Sequence, residues 1–526
     1  MKRTTLVLWL VPLVLAAVFW FWPPRGRDSY HHTINAVEQA RAWREGALLP
    51  RYHRGWNGGT GTFAPTIYSP VPLFVQGGLA QILGDGRRAV GISLAAAFLA
   101  MAAVLKGWSR DPAAVMVILT PYVLAVALWR STTTEAWALV GAAAVLPLAM
   151  PPMRVTRRRG FGLAIGVFWV AGCQVGMLLQ MAWLLGAAWT VSLLQTPMVS
   201  TDRAAGGPLE LARTAAWGVV GLCVAAALWL PAVVDARHLA IRDLVDGPLD
   251  WRNNFLPDGS ALGLLLTVTA LSLAIIALIV IRRGVGSNRL PLAVAVLVGV
   301  ALATPLSTPL WHLSKMENLQ YPWRFLGPST LIAVLALGSL RGRWRVAGFI
   351  ILLLPLVILP VSLGTSDDAV PTASTPEELA LIAQEEWSLA PTLPSEPGFY
   401  SKDYHLVDSL DLLTGQRARL EAIERDVGGG RWRVTQDIAG SVLLPLQWWP
   451  EWRIEAGGND LAYTNRRGLV AVELEAGTVE VRASLLGSRS RSAGTLLSGA
   501  GLAVLALLLV LWRSDRDLAP ACRGAA

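Results

Sequence analysis

The sequence predicts an α-helical polytopic membrane protein with a small extracytoplasmic β domain, and three observations predict it. Long apolar runs recur along most of the 526 residues, of which 54% are hydrophobic and only 15% charged, too apolar for an ordinary soluble chain. Short Arg-rich links separate the runs, the pattern that the positive-inside rule gives to cytoplasmic loops. Between 364 and 493 the composition turns polar, then strand-like.

The first run, 5–22, starts beside Lys2-Arg3 and therefore runs from cytoplasm to exterior. Phe19-Trp20-Phe21-Trp22-Pro23 offers no small-residue cleavage site, so the run reads as an uncleaved signal anchor. A polar loop follows, rich in Trp, Tyr, His and Arg, a composition that suits a site at a membrane surface better than a disordered linker. The apolar piece 71–83 is short and broken by Gly77-Gly78, and is read as an interfacial helix. If it spanned, Lys106 and the cluster Arg154, Arg157, Arg158, Arg159 would lie outside, against the charge rule.

Further spans are expected near 89–105, 112–129, 134–152, 161–175, 178–195, 213–230, 260–281, 290–305, 325–340, 346–363 and 494–512. The stretch 161–195 fits two short helices or one bent one. With Arg282, Arg283, Arg289, Arg341, Arg343, Arg345, Arg513 and Arg516 on inside links, this makes about twelve spans with both termini cytoplasmic. The chain divides into a transmembrane domain over 1–363 with its first outer loop at 23–88, and an extracytoplasmic domain over 364–493. A final helix at 494–512 and a cytoplasmic tail at 513–526 complete it. Strand signals lie at Arg431–Val434, Val442–Leu444, Trp452–Ile454, Leu469–Val472 and Val479–Arg482, and β structure is expected from about 400 onward.

The formal charge of +9 is concentrated at span ends and does not indicate nucleic acid. Cys173, Cys223 and Cys522 suit neither a disulfide framework nor a zinc site. There is no Gly-rich nucleotide loop, no Cys/His metal spacing and no nucleophile elbow.

The polar groups collect on the predicted outer face: Asp28, Arg130 and Glu135 around Ser131-Thr132-Thr133-Thr134, Trp229-Leu230-Pro231, Asp235, His312, and Tyr321-Pro322-Trp323-Arg324-Phe325. Each is either a solvated flank or part of a site, because ionisable groups at span ends are costly to desolvate. A carboxylate beside aromatic rings, facing arginines, suits sugar transfer from a lipid-linked phosphate. The carboxylate serves as general base, an arginine holds the phosphate, and Trp and Tyr stack on the sugar. Adjacent His31 and His32 diverge on a helix and lack a third ligand, so no metal site is assigned, although a divalent metal is compatible with such chemistry. Arg324 beside Trp323 also fits an interface anchor, and Asn57-Gly58-Gly59 a tight turn.

Asp28-Ser29-Tyr30-His31-His32, Gly46 to Arg51, Trp56-Asn57-Gly58-Gly59-Thr60-Gly61 and Tyr68 to Leu73 resemble the first outer loop of bacterial GT-C-type membrane glycosyltransferases. The resemblance is to the 6-pyruvoyl-tetrahydropterin-synthase-related membrane proteins, and Arg130 with Glu135 and Pro147, Trp229-Leu230-Pro231-Ala232 and Gln320 to Leu326 follow in the same order. Pro445 to Leu474 is similar to the outer β domain of YfhO-like membrane proteins. Where that pattern has a His near 170–180, this chain has Gly172-Cys173-Gln174 and Gln180.

The resemblance implies a GT-C-like fold in a bacterial inner membrane, with the active site on the extracytoplasmic face. It implies inverting transfer of a sugar from a polyprenyl-phosphate donor to a glycan, lipid or protein acceptor, with Asp28 as base. Arg51, Arg130 and Arg324 are the donor-phosphate candidates; His31, His32, Tyr52, Trp56, Asn57, Glu135 and Trp323 are those for acceptor or sugar. The alternatives are a non-catalytic assembly protein or a lipid or polysaccharide transporter. A transporter should show internal repeats and midplane ionisable groups, and neither stands out.

Overall fold

A computed structural model describes residues 10, 13–15, 17–21, 28–54, 61–67, 70–109, 112–151, 155–195, 207–235, 251–257, 260–313, 316–319, 321–358, 418–426, 428–466 and 469–518. Half of the first apolar run, 5–22, lies outside them, as do 359–417 and the tail beyond 518.

The helical part is built from α1 (Ser29–Arg44), α2 (Pro70–Leu83), α3 (Gly86–Ser109), α4 (Thr133–Ala149), α5 (Arg157–Cys173), α6 (Val175–Gln195), α7 (Pro208–Val224) and α8 (Ala226–Asp235). It continues through α9 (Ala261–Arg283), α10 (Arg289–Leu302), α11 (Leu326–Leu337) and α12 (Gly342–Leu353), and closes with α13 (Arg489–Leu518). Among the described residues four helices are long and apolar enough to cross a membrane: Gly86–Gly107, Val175–Gln195, Ala261–Arg283 and Arg489–Leu508. The number rises to six if each of two bent pairs counts as one span: α7 with α8, at 77°, and α10 with Pro305–His312, at 91°. The protein is a membrane protein by these helices, but the expected twelve spans exceed what they establish.

The shortfall has local causes. The run expected at 112–129 is a 3-10 helix (Pro112–Leu119), a short α turn (Pro121–Leu124) and a π-helix (Ala125–Arg130), broken by prolines at 112 and 121. The run at 346–363 loses its α geometry at Leu354–Val357, where Pro355 removes a donor. The stretch 161–195 is two helices, α5 and α6, meeting at extended Gln174.

Two helices form the centre. Nearly every residue of α4 and of α11 is buried, and a helix apolar all round needs neighbours on every side. Loops between helices gather at two ends. At one, Val285 N–H donates to Ser339 O over 3.0 Å and Val155 N–H to Glu210 Oε2 over 2.7 Å, among the basic links. At the other end lie α1, the start of α4 and the start of α11. The 14-residue α2 stays there: Gln76 bonds Thr133, Gly77 lies against Gln39, and Val71 meets Gly172. At about 1.5 Å per residue it is also too short for the ~30 Å hydrocarbon core.

Strands β1 (Ala418–Asp426), β2 (Gly429–Gln436), β3 (Gly440–Gln447), β4 (Trp452–Ala456), β5 (Asn459–Leu461), β6 (Tyr463–Arg466), β7 (Leu469–Leu474) and β8 (Gly477–Leu485) make two sheets. Their orders are β1-β2-β8-β4-β5 and β3-β7-β6, and every pairing is antiparallel. On β2, Trp432, Val434 and Gln436 point inward while Arg433 and Thr435 face out, the period of two of a half-buried strand. The first outer loop completes this core. Phe63 stacks on Trp449 at 4.2 Å, Tyr52 meets Trp452 edge-on at 5.4 Å, and Phe63 N–H donates to Gln447 Oε1 over 2.8 Å.

Candidate functional site

Asp28 begins α1 as its N-cap, a position where an Asp side chain ordinarily accepts a hydrogen bond from the first helical turn. Here it makes no such bond. Oδ2 instead accepts from Arg130 Nη2 over 2.6 Å, and Asp28 N–H donates to Arg130 O over 2.8 Å. Arg130 ends the π-helix, and the next residue, Ser131, is left-handed with φ 56°. A non-glycine residue there costs about 1–3 kcal/mol, a strain that clusters at functional sites. The reversal delivers Glu135, fully buried, into the first turn of α4.

Glu135 gathers the rest. Arg130 Nη1 donates to its Oε2 over 3.2 Å, Arg324 Nε lies 3.5 Å from the same oxygen, and the Tyr122 hydroxyl donates to Oε1. The helix dipole at the start of α4 adds to the attraction. Tyr321 and Trp323 roof the arginines: the Arg130 guanidinium lies 5.2 Å and 5.3 Å from their ring centres, and that of Arg324 lies 4.5 Å from Tyr321. On the other side His32 Nδ1 meets Thr133 Oγ1 at 3.1 Å and Nε2 meets Thr132 Oγ1 at 3.4 Å.

Burial, the largest single influence, pulls the Asp28 carboxyl upward, but Arg130 and the weaker pull of the other basic groups around it, Arg324 among them, together offset this and hold it below the usual carboxylate range. Burial pushes His32 down to about 4, against the pull of Asp28, so the ring is neutral at pH 7. Asp28 is 24% exposed, and Oδ1 has no hydrogen-bond partner among the described residues. Arg324 Nε is beyond hydrogen-bond reach of Glu135, and the fork of that guanidinium carries no hydrogen bond among the described residues.

The structure thus brings together Asp28, His32, Arg130, Glu135, Trp323 and Arg324, with His31 half-buried one residue before His32. Two expectations need correction: Tyr52 does not line this site but is fully buried between the first loop and the β domain. Its ring and hydroxyl stand where a Cβ on Gly61 would lie, so Gly61 is required by close approach as well as by its φ of 78°. Arg51 is likewise drawn to the β domain. It forms an ion pair with Glu451 and donates to Leu486 O over 2.8 Å, because the chain turns away from α1 after Pro50. Trp56 and Asn57 lie outside the described residues.

Sequence reasoning missed Tyr122, a single phenol within an apolar run. The signal was available, since a buried Tyr hydroxyl in such a run needs a partner. Tyr321 is legible in the sequence as one of the outer-face groups, but its place over both arginines depends on the 3-10 turn Pro322–Phe325.

Among the described residues no three His, Cys, Asp or Glu side chains lie close enough to hold a metal ion. The two carboxylates of the cluster also face arginines, whose charge opposes a cation, so the donor set does not fit a divalent metal.

No protein-family model matches the sequence, and no curated protein matches it. Among solved structures, the cryo-EM structure of the arabinofuranosyltransferase AftD from Mycobacteria is similar at 18% identity, over 72% of this chain and 28% of that one, with a TM-score of 0.41. A mutant form of the same enzyme gives 18% identity, coverage of 72% and 29%, and a TM-score of 0.39. The chain therefore spans less than a third of the length of those proteins, and likeness at this level assigns it no activity.

Proposed function

We propose that the protein is a membrane glycosyltransferase of GT-C type that moves a sugar from a polyprenyl-phosphate donor to an acceptor hydroxyl on the extracytoplasmic side. The observation that carries this reading is the convergence of Asp28, Arg130 and Arg324 beneath Tyr321 and Trp323, at the ends of the two central helices. The order of sequence pieces shared with GT-C-type proteins supports it, and the about twelve spans of the sequence reading go with it.

In this mechanism the acceptor O–H is oriented by Asp28 Oδ1, and its oxygen attacks the anomeric carbon from the face opposite the phosphate. The C–O bond to phosphate breaks, the polyprenyl phosphate leaves with the electron pair, and the proton passes to Asp28. A carboxylate held ionised is in the correct form to accept it, although its low proton affinity places the transfer late. Arg324, with its open fork, takes the phosphate and stabilises the charge that grows on it. Arg130 keeps Asp28 oriented and is a positioning residue. Glu135 and Tyr122 hold the arginines.

One observation favours a second reading. Two carboxylates and two arginines already balance each other, so the cluster also suits a non-catalytic latch between α1 and the bundle. Mass spectrometry of envelope glycans in a deletion strain separates the two. Loss of a glycan that wild type restores and Asp28→Asn does not supports transfer, whereas full rescue by Asp28→Asn supports the latch.

A further inference from the structure

A second polar site lies away from the Asp28 cluster, where the β domain meets the first turns of α13. A cavity of about 640 Å³, open at the surface, is lined there by Arg51, Arg491, Ser488, Gly487, Thr495 and Leu496. The geometry points to a phosphate-bearing membrane lipid, an anionic phospholipid, as its occupant.

Three features carry this. The first is charge. Arg51 is 6% exposed and lines the cavity, with its Nε buried and without a hydrogen-bond partner among the described residues. Arg491, in the first turn of α13, gives a single side-chain bond among the described residues, from Nη2 to Leu49 O over 3.0 Å. The carboxylates nearby are engaged: Glu451 with Arg51 and Trp449, and Asp235 with Ser490. The Arg491 donors left over after these bonds, with the Arg51 charge beside them, suit a phosphate.

The second is space. A Cβ on Gly487 would meet nothing within 4 Å, and the Ser488 hydroxyl, turned back to Arg491 N–H at 3.2 Å, caps the helix without filling the opening. The helix N-terminus adds its positive dipole to that of the two cations.

The third is position. Arg489–Leu508 is a candidate span, so its first turns lie at the membrane boundary, where headgroups reside. Below the cavity, Leu496, Gly499, Ala503 and Leu507 fall on one face at helical spacing and are exposed. That stripe offers a path for an acyl chain, which a free phosphate would not need. The proposal does not depend on whether the Asp28 cluster transfers a sugar.

The test uses the full-length protein in neutral detergent, with phosphatidylglycerol, phosphatidylcholine or inorganic phosphate added. Phosphatidylglycerol is expected to raise Tm and to remain bound in native mass spectrometry, while the other two do neither. Thr495→Glu places a carboxylate in the cavity at an exposed helical position and is expected to weaken phosphatidylglycerol binding about tenfold or more. Gly487→Trp, which fills the opening, should do the same without adding charge. Equal stabilisation by phosphatidylcholine, an equal shift with inorganic phosphate alone, or variants that bind phosphatidylglycerol like wild type would overturn the proposal.

Discussion

Asp28 and Glu135 share one guanidinium: Arg130 gives Nη2 to Asp28 Oδ2 at 2.6 Å and Nη1 to Glu135 Oε2 at 3.2 Å. Through it the start of α1 is tied to the start of α4, one of the two helices at the centre of the bundle. Removing the guanidinium leaves Glu135 fully buried with, among the described residues, Arg324 and Tyr122 as its remaining polar partners. Arg130→Ala should therefore lower stability by about 3–5 kcal/mol, the usual result of breaking one partner of a buried pair. Arg324→Gln should cost clearly less, because its contact with Glu135 is longer. Thermal unfolding of both variants in detergent checks the order, and an equal loss in the two would refute it.

Tyr122→Phe removes the hydroxyl that Glu135 Oε1 accepts from, in a place water does not reach. The expected loss is about 1–3 kcal/mol with little change in helix content. Circular dichroism with thermal unfolding reads both.

The His32 ring is neutral because burial pushes it down to about 4, and His53 is pushed to about 3 for the same reason. The unfolded chain takes up these protons near pH 6.5, whereas the folded protein does not. Stability is therefore full above about pH 6.5 and falls as pH drops, until the folded rings protonate as well. For His32 alone the loss is at most about 3 kcal/mol. His32→Gln should flatten the fall of Tm between pH 6.5 and 4, and an unchanged slope would show that His32 is not its source.

Phe63 and Tyr52 join the first loop to the β domain, so Phe63→Ala should cost about 3–5 kcal/mol and loosen Arg51 and its neighbours. Gly61→Ala should act in the same direction, through its positive φ and the Tyr52 ring. Hydrogen exchange over 418–485 and 51–63 measures the effect. Faster exchange in the β strands alone, with none in the loop, would contradict a shared core.

Periodicity and charge were enough to read α2 as a short separate helix and the strands β2, β3, β4, β7 and β8, but they left 161–195 open between two helices and one bent one and gave no sign of the short β5 and β6. They could not reveal β1, whose Arg-Leu-Glu-Ala-Ile-Glu-Arg stretch forms a solvated edge with few inward residues. They also could not reveal the π-helix before Arg130, since one extra residue per turn leaves no mark in an apolar run. Within the site, Asp28, Arg130, Glu135 and Arg324 were legible as ionisable groups at span ends. Their pairing was not, because it depends on the turn at Ser131. Tyr52 and Arg51 were misplaced because closeness to Asp28 in sequence says nothing of the distant tryptophans that draw the loop away.

Turnover of the purified protein with a polyprenyl-phosphate-linked sugar and an envelope-glycan acceptor, comparing wild type with Asp28→Asn, decides whether the Asp28 cluster transfers a sugar. Wild type is expected to transfer with inversion. Asp28→Asn is expected to lose about 10²–10⁴ in kcat, with donor binding largely kept. Full turnover by a folded Asp28→Asn protein would rule out Asp28 as the base.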